Sequence, residues 1–178
     1  MELPEELANR PARKPGQAPS ATLTLDAYVR LKAELDELRA TGRDRIAERL
    51  RVAREHGDIR ENAEYDAAKN EQGLMEARIR QLAELLRDPE IVERPSSADA
   101  AAPGMLVTVR PLDEDDPEDE VYLLADSPEE RASGARTVTT SSPLGSALLG
   151  ASPEQEILYQ APGGSFRYRI VSLQPLAG

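Results

Sequence analysis

Between Leu23 and Leu86 apolar residues recur at intervals of three and four among charged ones. Leu31, Leu35 and Leu38 come first, then Ile46, Leu50 and Ala53, then Ala67, Leu74, Ile79, Leu82, Leu85 and Leu86. Such spacing marks one face of an α-helix, and a stripe this narrow needs another helix to cover it. No proline interrupts residues 24–87, where Ala, Leu, Glu and Arg, all strong helix formers, predominate. The run "EHGDIREN" (55–62) divides it into two helices. Gly57 suits a left-handed helix end, and Asp58 with Glu61 three positions later has the form of a capping box. Thr24 or Asp26 can cap the first helix; Thr41 and Gly42 loosen it midway without ending it. Each helix is about 40 Å long at 1.5 Å per residue. Joined by a short turn, the two fold back as an antiparallel pair.

Past residue 104 the period shortens. "MLVTVRPL" (105–112), "EVYLLAD" (120–126), "ARTVTT" (135–140), "EILYQA" (156–161) and "SFRYRIVSL" (165–173) read as strands. The last alternates, with Phe166, Tyr168 and Ile170 on one face and Arg167 and Arg169 on the other. Pro162, Gly163 and Gly164 join the final two strands as a hairpin. "SPLGSALLG" (142–150) reads as a short helix, capped by Ser142 with Pro143 in its first turn. The fold class expected is α+β: a long N-terminal antiparallel coiled-coil hairpin, then a small, mainly antiparallel β domain with one short helix. Four regions follow. Residues 1–22 hold Pro4, Pro11, Pro15 and Pro19 and read as a disordered tail; 23–92 form the helical finger, 93–104 a linker and 105–178 the sheet domain.

Charge narrows the function classes. The 178 residues carry a formal net charge of -11, which argues against sequence-specific DNA binding, since phosphate contacts need clustered Lys and Arg. No cysteine is present and the single histidine is His56, so thiolate zinc sites are excluded and a histidine triad would rest on one residue. His56 reads as a helix-end residue, where a positive charge is favoured. The run "DEDDPEDE" (113–120) reads as a solvated acidic loop. No apolar run approaches the roughly 20 residues of a membrane span, and the N-terminus lacks the apolar core of a signal peptide. A cytoplasmic protein is expected.

The turn admits two readings. As a cap it needs one side-chain oxygen, yet it presents Asp58, Glu61, Glu64 and Asp66. Mg²⁺ is usually held by one or two carboxylates with water and phosphate oxygens, so two carboxylates can complete a site that a partner half supplies. Asp58 can cap through one oxygen and keep the other free. Here "AREHGDIRENAEYDAAKNEQG" (53–73) resembles the tip of the Gre transcript-cleavage factors of bacterial RNA polymerase. "LTLDAYVRLKAELDEL" (23–38), "EARIRQLAELLRDPEIV" (76–92), "SSPLGSALLG" (141–150) and "APGGSFRYRIVSL" (161–173) resemble further segments of that family, in order.

The resemblance implies an FKBP-like C-terminal domain and a finger that enters the secondary channel of RNA polymerase. There its tip would stimulate cleavage of the backtracked RNA 3′ end. Asp58 and Glu61 fall on the family's acidic pair and become the candidate catalytic residues. Asp58 would hold a Mg²⁺ shared with the polymerase, and Glu61 would position or activate water. The chain would act in trans on the polymerase and would not be an enzyme itself. Asn62 and Tyr65 match "ENAEY" and become candidate contacts to the extruded RNA or the channel; tip packing for Tyr65 and first-turn bonding for Asn62 are the alternatives. Arg54 and Lys69 match basic positions and would guide RNA by its phosphates, or else form an ordinary solvated surface. The N-terminal tail, the dense acidic loop and Asp66 depart from the family pattern. The family also includes paralogues that occupy the same channel and inhibit transcription, and the added acids are compatible with that second reading.

Overall fold

The computed structural model describes residues 3–55, 63–93, 95, 97–113 and 116–176. The chain divides into two units: residues 18–21 with 28–89, and residues 1–17, 22–27 and 90–178.

The first is a helical hairpin. One arm consists of α2 (Leu25–Glu37), which enters it at Tyr28, a π turn at Leu38–Gly42, and α3 (Arg43–Glu55); the other is α4 (Ala63–Leu85). Arg43 meets Glu76, Arg49 meets Glu71 and Arg54 meets Tyr65, so the arms run antiparallel. Tyr28, Leu31, Leu35, Ile46, Leu50 and Ala53 are buried on the first arm, as the apolar spacing requires. On α4 the stripe differs from expectation. Ala68, Ile79 and Leu82 are buried, with Tyr65 and Met75 partly so, while Ala67 is exposed and Leu74 is 65% exposed. Tyr65, Ala68, Gln72, Met75, Ile79 and Leu82 follow a strict three-and-four alternation, and Leu74 lies one position off it. Ser20 closes the base: its hydroxyl donates to the Leu85 carbonyl (2.8 Å) and accepts the Asp88 N–H (3.0 Å).

The second unit is built on a five-stranded sheet of order β5-β4-β3-β7-β6. Its strands are β3 (Met105–Pro111), β4 (Glu120–Ala125), β5 (Arg136–Thr139), β6 (Glu156–Ala161) and β7 (Gly164–Pro175). All neighbours are antiparallel except β4 and β5, which are parallel. The connection between that parallel pair carries Ser127, Glu129 and Glu130, all buried. A bulge in β7 leaves Val171 unpaired: Thr108 pairs with Ser172 but Val109 with Ile170. The extra residue resets which side chains face inward, so Ile170 and Leu173 are both buried three positions apart. Helix α5 (Pro143–Leu148) packs Leu144 and Leu148 into a core with Val107, Val109, Leu124 and Ile170. Ser142 caps it, accepting the Gly145 N–H at 3.1 Å. Ala161 pairs with Gly164 across a two-residue turn, and Gly164 takes φ +128°, a conformation that favours glycine.

Within this unit β1 (Thr22–Leu23) pairs in parallel with β2 (Glu90–Ile91). Thr24, not Asp26, supplies the oxygen that accepts the Ala27 N–H at the start of α2 (3.3 Å). The stretch read as a tail contains one helical turn, α1 (Glu5–Ala8). The acidic loop is tied at its described ends. Asp113 accepts from the Arg167 backbone N–H and side chain (3.0 and 2.6 Å), and Asp119 from Arg110 (2.6 and 3.0 Å). The solvated reading missed the arginines on the facing strands, which neutralise these two carboxylates.

Candidate functional site

Helix α3 ends at Glu55 and α4 begins at Ala63. Asp58, Glu61 and Asn62, with His56 and Gly57, belong to the connection and lie outside the described residues. Arg54, Tyr65 and Lys69 are described, and two of them meet across the hairpin. Arg54 lies one residue tipward of buried Ala53 on an exposed position, and Tyr65 opens the α4 stripe. The Arg54 guanidinium lies 5.6 Å from the centroid of the Tyr65 ring and donates to its hydroxyl at 3.4 Å. This is a loose hydrogen bond joined to a cation–π contact. The phenol is held below its ordinary pKa, first by that bond from Arg54, with the charges of Arg54 and Lys69 adding to it. The flank of the ring packs against the Ile46, Leu50 and Ala68 cluster. Tyr65 therefore combines both alternatives the sequence left open: its ring serves packing and its hydroxyl joins a cationic edge.

Lys69, one turn further along α4, donates to Gln72 at 2.8 Å. It reaches Tyr65 only through its field. On α3, Arg51 takes the carboxylates of Glu48 (2.7 Å) and Glu55, so Glu55 is engaged on its own helix while Arg54 turns to Tyr65. An open groove on the hairpin, not anticipated from the sequence, is lined by Val52, Ala53, Ala63, Ala67 and Ala68 together with the charged Glu48, Arg49 and Glu64. Its only signal was the density of alanines. Among the described residues, no three His, Cys, Asp or Glu converge to hold a metal. Among the same residues no helix is long and apolar enough to cross a membrane.

Comparison with known proteins agrees with this architecture. Residues 21–91 match the family model described as transcription elongation factor, N-terminal, and residues 96–175 that described as transcription elongation factor, GreA/GreB, C-term. The chain is 45% identical over 157 residues to transcription elongation factor GreA of Saccharopolyspora erythraea, covering 88% of this chain and 95% of that one. It is 42% identical over 158 residues to transcription elongation factor GreA of Streptomyces avermitilis, covering 88% and 94%. Among solved structures, GreA factor homolog 1 (Gfh1) of Thermus thermophilus is 26% identical, covers 86% of this chain and 98% of that one, and has a TM-score of 0.38. The helical hairpin and the sheet unit thus each match one half of a two-part family, and the chain belongs to the GreA/GreB transcription elongation factors.

Proposed function

We propose that this chain acts on bacterial RNA polymerase in the cytoplasm. It inserts the end of its helical hairpin into the secondary channel and stimulates the polymerase to cleave a backtracked transcript near its 3′ end. One observation carries the reading: the hairpin brings Arg54 and Tyr65 together at the end of α3 and start of α4, next in sequence to Asp58 and Glu61. A cation and an aromatic edge there suit a single strand of RNA, the guanidinium for phosphate and the ring for stacking. Asp58 would hold Mg²⁺ jointly with polymerase carboxylates. Bound there, Mg²⁺ would supply Lewis-acid stabilisation of the charge that develops on the phosphate and water oxygens. Glu61 accepts a proton from the attacking water, whose oxygen bonds to phosphorus as the bond to the departing 3′ oxygen breaks; that oxygen takes up a proton. Arg54 and Lys69 steady neighbouring phosphates, and Asn62 and Tyr65 orient the extruded nucleotides. The chain supplies groups to the polymerase active centre and turns over nothing alone.

A stalled, backtracked elongation complex tests this. With Mg²⁺, the chain should shorten the RNA from its 3′ end. Asp58→Asn or Glu61→Gln should abolish the shortening while leaving polymerase binding intact. No cleavage at saturating protein, together with slowed elongation, would replace this reading with that of a channel-blocking inhibitor.

A further inference from the structure

The two faces of the hairpin are not equally regular. On α4 the inward positions Tyr65, Ala68, Gln72, Met75, Ile79 and Leu82 alternate intervals of three and four without interruption. On the facing arm they are Leu31, Leu35, Leu38, Gly42, Ile46, Leu50 and Ala53, at intervals of four, three, four, four, four and three. Strict alternation would have reached positions 45, 49 and 52. This arm therefore contains one residue too many. Against a partner whose stripe keeps a period of 3.5 residues, one extra residue, at about 100° per residue, turns the arm's apolar face out of the seam. Continued unbroken, the arm would turn Arg45, Arg49 and Val52 inward, setting two charges in the seam. The π turn at Leu38–Gly42 takes up the extra residue and returns Ile46, Leu50 and Ala53 to the inside.

The residues at this turn are ones that yield. Gly42 is buried, and a Cβ there would stand 3.1 Å from Met75 Sδ. Its neighbour is thus the most adaptable apolar side chain, facing a residue with none. The Thr41 hydroxyl donates back to the Glu37 carbonyl at 3.1 Å, a bond that favours bending. Two forked ion pairs grip the arms on either side. Arg78 holds Glu34 at 2.7 and 3.0 Å, and Arg43 holds Glu76 at 2.8 and 2.9 Å.

We infer that the π turn is a hinge, the one point where α3 bends relative to α2 and so re-aims the end bearing Arg54. Its use on the polymerase rests on the function proposed above; the hinge itself does not. Deleting Asp44, between Gly42 and Ile46, restores strict alternation and keeps every apolar residue of the stripe inward. In the full chain, the amides of residues 38–42 should exchange with deuterium at least about tenfold faster than those of residues 46–50, equivalent to about 1.4 kcal/mol. The deletion should erase that difference and raise the urea midpoint. On a backtracked complex it should lower stimulated cleavage about tenfold, again about 1.4 kcal/mol, at unchanged affinity for polymerase. Equal exchange rates in the unmodified chain overturn the hinge. A deletion chain that is less stable or fails to fold overturns it too, because restored alternation must strengthen the seam. Full cleavage by a stabilised deletion chain refutes its use on the polymerase. If the unmodified chain itself stimulates no cleavage, the proposed function falls, and the exchange and urea measurements still decide the hinge.

Discussion

Replacing Glu130 with alanine tests what fixes residues 22–27 within the sheet unit. Glu130 and Thr24 are each only 7% exposed. The carboxylate accepts the Thr24 backbone N–H at 2.7 Å and the Thr24 hydroxyl at 2.8 Å. The same hydroxyl oxygen accepts the Ala27 N–H at 3.3 Å, so the carboxylate orients the cap of α2. A hydrogen bond to a charged group contributes about 1.5–3 kcal/mol net, and a buried donor left without a partner costs about 1–3 kcal/mol. The two bonds serve one residue, and the freed hydroxyl can rotate, so the terms overlap; the expected loss is about 2–4 kcal/mol. At about 2 kcal/mol/M in urea the unfolding midpoint should fall by about 1–2 M. Glu130→Gln, which keeps the volume and one acceptor, should lose about half as much. Tyrosine fluorescence is a suitable probe, since Tyr122, Tyr159 and Tyr168 lie in the same unit and the chain has no tryptophan. Thr24→Val completes a double-mutant cycle. A midpoint unchanged in Glu130→Ala, or strictly additive losses in the double variant, would refute the coupling.

Gly145→Ala should destabilise the sheet unit, because the added Cβ would stand 2.0 Å from the Thr139 carbonyl oxygen and 2.7 Å from its carbon. Overpacking against backbone costs about 1–3 kcal/mol, and a thermal melt at or above the parental midpoint would contradict it. Phenolate absorbance should separate the tyrosines. Tyr65 ionises below the ordinary value, held down by Arg54, and Arg54→Ala should move that step upward. Tyr122 is pushed up to about 12, first by burial and then by its bond to Glu120, and burial lifts Tyr168 further. Both buried phenols keep their protons in the folded state where the unfolded chain has lost them. Stability should therefore be fully present below about pH 10, the unfolded value, and fall as pH rises toward 12. A urea midpoint that stays flat or rises over that window would refute the assignment.

The sheet unit was largely legible because its signals are local. Turn residues and the period of two placed the five strands within a residue or two of where they form, and Ser142 with Pro143 announced α5. Two features were not legible. Alternation through Phe166, Tyr168 and Ile170 predicts Ser172 as the next inward residue, but the bulge at Val171 substitutes Leu173. The acids of 113–120 gave no sign of their partners, because Arg110 comes beside Asp119 only through pairing of β3 with β4, and Arg167 beside Asp113 only through pairing of β3 with β7. Both depend on what a neighbouring strand does, which no single segment encodes.

The hairpin shows the same limit more sharply, and it bears on the candidate site. Ranking by hydrophobicity favoured Leu74, yet the seam takes Met75, because position in the alternation outweighs side-chain type once the helix is regular. On the other arm the count of residues betrayed one excess position between Leu38 and Ile46, but not how the chain would accommodate it. An ordinary helix would have carried the error forward to the tip and rotated Arg54 away from α4. The π turn cancels the error, so the meeting of Arg54 with Tyr65 is set by residues on the far side of Ile46 and Leu50. Thr41 and Gly42, which set which way Arg54 faces, lie roughly 20 Å from it along the helix at 1.5 Å per residue.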